Sequence, residues 1–219
     1  MGRDSPPMRS LRERQRAERA ALILEAAART FTDKGYHDAA IDEIAARAGI
    51  AKGTVYLHFA SKEDLLAALV ERHLVDFLTE IEQASAAPLP MRARLELILR
   101  DVYTRMQERG NQMLLELSTR TGVTRKLLDE RAGLQAHVAR ATERIAALLE
   151  EGRRADELDR AVPMAVMIAT FSALVSPSGY EQLLTSGQVT PADLAAYVSR
   201  TFFPPLPPPS AQPLPCRTG

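Results

Sequence analysis

An all-α fold in two parts is what this chain of 219 residues predicts. Three observations carry that expectation. Apolar residues recur at steps of three and four through most of the chain, and no period-2 run suggests a strand. Glycine and proline fall between the helical segments rather than inside them. Near residue 50, two short helical patterns meet at a glycine, the spacing of a helix-turn-helix.

The elements follow in order. Residues 1–16 read as a flexible basic arm, with Gly2, Pro6 and Pro7 first and Arg12, Arg14 and Arg16 leading, with Arg19, into the first helix. That helix carries Ile23, Ala27 and Phe31 at steps of four, and Gly35 is placed as its stop. A short second helix has Ile41, Ile44, Ala45 and Ala48 on one face and ends at Gly49. The third holds Val55 and Phe59. The fourth opens with Ser61 as N-cap and Asp64 in the position of a capping-box acid, then keeps Leu66, Leu69, Val70, His73, Leu74, Phe77 and Ile81 in one stripe. A turn is expected at 84–91. Later helices are expected at 91–108, 111–119, 123–153, 162–175 with a continuation to 185, and 191–203. Residues 204–219 hold 7 of the 14 prolines and read as a disordered or polyproline tail.

Bulk properties narrow the function. Net charge is formally zero, but residues 1–62 carry 11 Lys or Arg against 8 Asp or Glu. Within 44–62, Arg47, Lys52 and Lys62 stand without any acid. The single cysteine, Cys216, cannot form an internal disulfide and favours a reducing compartment. No apolar leader begins the chain, and the longest apolar run, 162–175, is too short for a bilayer, so a soluble cytoplasmic protein is expected. No phosphate-binding loop, dinucleotide fingerprint, nucleophile elbow or zinc-protease motif occurs, and the four histidines lack ligand spacing. The expectation is therefore a non-enzyme with no cofactor and no metal.

The stretch GIAKGTVYLHF, 49–59, carries the chemistry. Val55 and Phe59, with Ile44 and Ala45, are expected to pack beneath the turn, which leaves the N-terminal end of the third helix free. Unpaired N–H groups and a partial positive charge at such an end suit phosphate. Gly53 removes a side chain where backbone and DNA must come close. Thr54 can bond a phosphate or touch a thymine methyl, Tyr56 and His58 can donate to phosphates, and Lys52, Lys62 and Arg47 add charge.

The run TFTDKGYHDAAIDEIAARAGIAKGTVYLHFASKEDLL, 30–66, closely resembles the N-terminal domain of the TetR family of transcriptional regulators. The resemblance rests on Phe31, Gly35-Tyr36, Ile44-Ala45, Ala48-Gly49-Ile50, Lys52-Gly53-Thr54-Val55-Tyr56, Phe59 and Ser61-Lys62-Glu63. It implies a DNA-binding domain at 17–77, with the helix-turn-helix at about 41–60 and the recognition helix at 51–58. It also implies a helical effector-binding and dimerisation domain at 78–203. Two positions depart from the family pattern: Ala40 and Ala51 stand where a hydroxyl commonly caps the second and third helices.

The same resemblance implies a homodimer on a palindromic double-stranded DNA operator, acting as a repressor that an unidentified small molecule releases. Phe77, Tyr103, Met106, Met113, His137 and Arg140 are candidates for the effector pocket. Phe171, Leu174, Tyr197 and Phe202 are candidates for the dimer interface. The alternative is a protein-interaction module of the same fold with weakened DNA binding, which the two alanines suggest.

Overall fold

The computed structural model describes residues 11–107, 123–175, 180, 183–184 and 186–202. Those residues form nine α-helices and no strand: α1 (Leu11–Lys34), α2 (Ile41–Ala48), α3 (Lys52–His58), α4 (Lys62–Ala86), α5 (Met91–Met106), α6 (Val123–Glu130), α7 (Ala132–Arg154), α8 (Met164–Val175) and α9 (Pro191–Phe202). None of the described helices is long and apolar enough to cross a membrane. The helix expected at 111–119 and the tail at 204–219 lie outside the described residues.

The chain divides into two compact units, Met1–Thr79 with Arg105–Ala141, and Glu80–Thr104 with Thr142–Gly219. The first unit thus takes in a segment beyond residue 78 that was expected in the second. Its apolar core explains why. Ile23, Ala27, Phe31, Ile44, Val55, Leu65 and Leu66 share one buried cluster with Leu127 and Leu134. The expected faces of the first four helices are all represented in it. Phe31 meets the edge of Tyr36 with ring centroids 5.4 Å apart, so the residue after the Gly35 stop returns its ring to the core.

Two expectations need correction. Residues 11–16 are not an arm but the first turns of α1. The reason is local: RERQRAERAAL is built of strong helix formers, with neither glycine nor proline, and Glu13 favours the helix start. The helix expected at 123–153 is broken at Arg131 into α6 and α7. Gly133 weakens helix propensity there, and the Arg131 guanidinium is held 2.7 Å from the Asp64 carboxylate.

Asp64 also serves the start of α4. The Ser61 hydroxyl accepts the Asp64 N–H at 3.0 Å and donates to its carboxylate at 2.9 Å. The cap is as expected, but the acid bonds the hydroxyl and leaves its second oxygen for Arg131. Arg131 first, and Ser61 second, hold the Asp64 carboxyl below its ordinary range.

In the second unit, α5 buries Met91, Leu95, Ile98 and Leu99, and α7 buries Ile145, Leu148 and Leu149. Gly152 permits the close packing, because a Cβ there would overlap the Met91 side chain. The Glu157 carboxylate accepts the N–H groups of Met91 and Arg92 and so caps α5. Arg94, nearly buried, forks onto both oxygens of Glu151 and also donates to the Ser85 carbonyl.

Candidate nucleic-acid interface

The turn between α2 and α3 is built from backbone. Gly49 adopts φ 68°, a left-handed conformation that only glycine takes without strain. Its N–H reaches the Ala46 carbonyl at 3.1 Å, and the Ile50 N–H reaches Ala45 at 3.0 Å, the paired bonds of a glycine-ended helix. Ala40 and Ala51 stand at the N-caps of α2 and α3 in extended conformation, with no side-chain cap. Compensation at α2 comes from Asp42 and Glu43 in its first turn, while α3 has no acid there.

A helix of only seven residues, α3 cannot hold itself together. It is seated by Val55, which is fully buried, and flanked by half-buried Ile50 and Phe59. The other side is open. Lys52 and Gly53 are exposed, Tyr56 is 47% exposed, and Thr54 and His58 are half-buried. Leu57 is 76% exposed on the same helix. The sequence reading passed over it because periodicity has no way to mark an apolar residue that is left outside. A Cβ at Gly53 would meet nothing within 4 Å, and the backbone there is not left-handed. Folding therefore does not ask for glycine at that position.

The expected cations are occupied within the protein. Arg47 pairs with Asp33 at 2.7 Å, and Lys52 with Asp42 at 2.9 Å. Asp42, by hydrogen bond and by charge, raises the Lys52 pKa. Lys62 donates to the carbonyls of His37 and Ala39 at 2.9 and 3.2 Å and sits 4.8 Å over the Tyr36 ring. It ties the start of α4 to the α1–α2 turn and keeps one of its three donors for another acceptor. The pairing of these cations with Asp33 and Asp42 is not legible in the sequence, because pairing across elements leaves no local pattern.

His58 and Tyr36 are shifted as well. Burial lowers the His58 pKa first, and the charges of Arg16 and Arg19 lower it further, so His58 is neutral at pH 7 and presents an imidazole with one donor and one acceptor. Burial first, and the Glu63 carboxylate second, push the Tyr36 phenol up to about 12. A raised pKa means that the folded state retains a proton that the unfolded chain loses near 10. Tyr36 is accordingly expected to support stability fully below pH 10 and to lose that support as pH rises toward 12. Phenolate absorbance and denaturant midpoints across that range, compared with Tyr36→Phe, check it.

The expected effector residues do not form a single cluster within either unit. Phe77, Met106, His137 and Arg140 belong to the first unit and Tyr103 to the second, while Met113 lies outside the described residues. Tyr103 is a core residue, fully buried with its hydroxyl donating to the Leu174 carbonyl at 3.0 Å. His137 stands 3.6 Å from Glu71, and Arg140 is exposed. Glu71 lines a cleft of about 350 Å³ in the first unit, together with Asp64, Arg131 and Leu134. None of the five expected residues that are described lines it.

Among the expected dimer contacts, Phe171 is corrected. It is fully buried in the single chain and so offers no exposed surface to a second one. Leu174 is half-buried and Tyr197 is 51% exposed, whereas the side chain of Phe202 lies outside the described residues. The apolar run at 162–175 buries Met167 and Phe171 in α8 and leaves Val166 51% exposed.

Comparison with known proteins fits this head. Residues 23–69 match the family model described as bacterial regulatory proteins, tetR family. The chain is 32% identical over 143 residues to the HTH-type transcriptional activator FasR of Mycolicibacterium smegmatis, covering 57% of this chain and 65% of that protein. It is 30% identical over 86 residues to the fatty acid metabolism regulator protein of Bacillus subtilis, covering 39% of this chain and 44% of that one. These matches span less than two thirds of either relative. The fold is similar to the transcriptional regulator FadR from Bacillus subtilis in complex with stearoyl-CoA, with a TM-score of 0.68 at 17% identity, covering 84% of this chain and 97% of that one.

Proposed function

Because this chain belongs to the tetR family of bacterial regulatory proteins, we propose that it is a ligand-responsive, DNA-binding transcriptional regulator. The observation that carries this reading is the two-sided α3, with Val55 buried beneath and Lys52, Gly53 and Tyr56 open above. Thr54, His58, Lys62 and Arg47 complete the proposed contact set. Lys62 offers its remaining donor to a phosphate, and Lys52 and Arg47 exchange a carboxylate for one. Such exchanges need not add much affinity, since exposed ion pairs are worth little in either state.

The protein acts as a homodimer in this reading. A helix-turn-helix dimer places two recognition helices about 34–36 Å apart, or a multiple of that, on a palindromic operator. The exposed Val166 and half-buried Leu174 of α8, and the exposed Tyr197 of α9, are the residues proposed to meet the second copy. Repression by occupancy of the operator is the proposed mode, released when a small molecule binds the helical region and changes the spacing of the heads. The ligand achieves this only through a difference in affinity between the two states. Stearoyl-CoA, present in the FadR complex, is the first probe.

Footprinting the full chain on the DNA upstream of its own coding sequence, with light scattering for mass, tests the reading. A dimer protecting a palindrome, with protection lost on adding an effector, is the expected result. A folded protein that protects no site and binds no duplex even at low salt overturns it in favour of a protein-interaction module.

A further inference from the structure

We propose that Arg12, Arg16 and Arg19, on the N-terminal turns of α1, form a second DNA-contact surface that grips the phosphodiester backbone beside the groove entered by α3. This rests on the DNA-binding reading above and extends it to residues outside the helix-turn-helix.

The helical register makes the case first. Positions 12, 16, 19 and 23 follow one another at steps of four, three and four, so all lie along one face of α1. That face is the one on which Ile23, Ala27 and Thr30 are buried farther along the helix. The three arginines therefore continue the inward-facing stripe past the end of the core. They overhang the head rather than point to its back.

Their neighbour confirms the direction. His58, at the end of α3, feels the charges of both Arg16 and Arg19. Arg16 and Arg19 thus lie on the side of α1 that faces the end of the proposed recognition helix. An apolar stripe would have been needed here to pack against protein. Guanidinium groups at the same positions suit a planar, bidentate anion such as phosphate.

Availability supplies the third argument. The cations within or near the helix-turn-helix are engaged: Lys34 with Glu43, Arg47 with Asp33, Lys52 with Asp42, and Lys62 with two carbonyls. Arg12, Arg16 and Arg19 are exposed, and among the described residues none of them enters an ion pair. A phosphate arriving at this stripe displaces no carboxylate. Three unopposed charges held close together in one protein also repel each other, and an anion relieves that repulsion.

The test measures binding of the full chain to a random-sequence 30-base-pair duplex across a salt series. The triple variant Arg12→Gln/Arg16→Gln/Arg19→Gln is compared with Arg12→Lys/Arg16→Lys/Arg19→Lys and with Arg29→Gln. Arg29 lies on the other side of α1 and is paired with Glu25. Circular dichroism and melting verify that each variant folds. Each phosphate neutralised contributes about 0.9 to the slope of log K against log salt. The glutamine variant is expected to lose about 2.7 from that slope per bound head, while the lysine variant and Arg29→Gln keep it within about 0.5. An unchanged slope in the glutamine variant, while wild type binds, overturns this proposal alone. An equal loss in Arg29→Gln overturns it too, by showing a general effect of net charge. Failure of wild type to bind the duplex at low salt overturns this proposal together with the DNA-binding reading.

Discussion

Gly53→Asp is expected to abolish measurable operator binding while leaving the protein folded. The two effects separate because position 53 is open in the free protein. A Cβ there meets no atom within 4 Å, and the backbone is ordinary helix. Replacing glycine in a helix removes an entropic cost, and a carboxylate in the first turn favours the helix dipole. Thermal stability should stay level or rise by a few tenths of a kcal/mol. In the proposed complex the same carboxylate would face phosphates at the closest approach of the helix, where like-charge contact costs several kcal/mol. An affinity loss of at least 100-fold, about 2.7 kcal/mol, is the expected reading in a fluorescence anisotropy titration. Affinity retained within about threefold, a loss under about 0.7 kcal/mol, would remove α3 from the interface.

Phe31→Ala should be the most destabilising single truncation in the head. Phe31 is fully buried, packs edge-on to Tyr36 and belongs to the cluster that joins α1 to α2, α3 and α4. Truncating a buried phenylalanine costs about 3–5 kcal/mol through lost burial and the cavity left behind. Domains hold only about 5–15 kcal/mol in reserve, so the variant should unfold at a much lower denaturant midpoint or fail to accumulate. DNA binding should fall with it, because α3 depends on that core for its seat. Phe31→Leu, which keeps most of the volume, should fall between the two. A midpoint for Phe31→Ala within the error of wild type would show that the head is not held by this cluster.

The contrast between these two variants marks what could be read from residue order. Ile23, Ala27, Phe31, Ile44 and Val55 were legible as core because helical burial leaves a three-and-four periodicity. The turn was legible because Gly49 is where a left-handed residue must stand. The Ser61 cap was legible because its hydroxyl serves the helix that begins beside it. Each of these signals is local. Their agreement across three helices is what made the resemblance to the family specific.

Most of the misses have the opposite property. The extension of α1 through residues 11–16 was obscured by two prolines just upstream, although the residues themselves favour helix. The break at Arg131 depends on Asp64, sixty-seven positions away, and no window contains both. Phe171 looked like a dimer contact because an all-apolar helix does not declare which side meets its own chain. The partner of Tyr103, a backbone carbonyl on another helix, is likewise out of reach of any local pattern.

By itself, then, the order of residues determined the helices of the head, the turn between α2 and α3, and the kind of surface α3 presents. These follow from periodicity, caps and glycine conformation, which act within a few residues. Only the tertiary structure decided which cations stay available, which aromatic rings are core, and where the arginine stripe of α1 leads. Those depend on what lies across from each side chain, and pairing in space is set by packing between elements rather than by sequence neighbours. Arg12 and Arg16, which read as part of a loose basic arm, therefore join Arg19 on a helix whose inner face outruns its core.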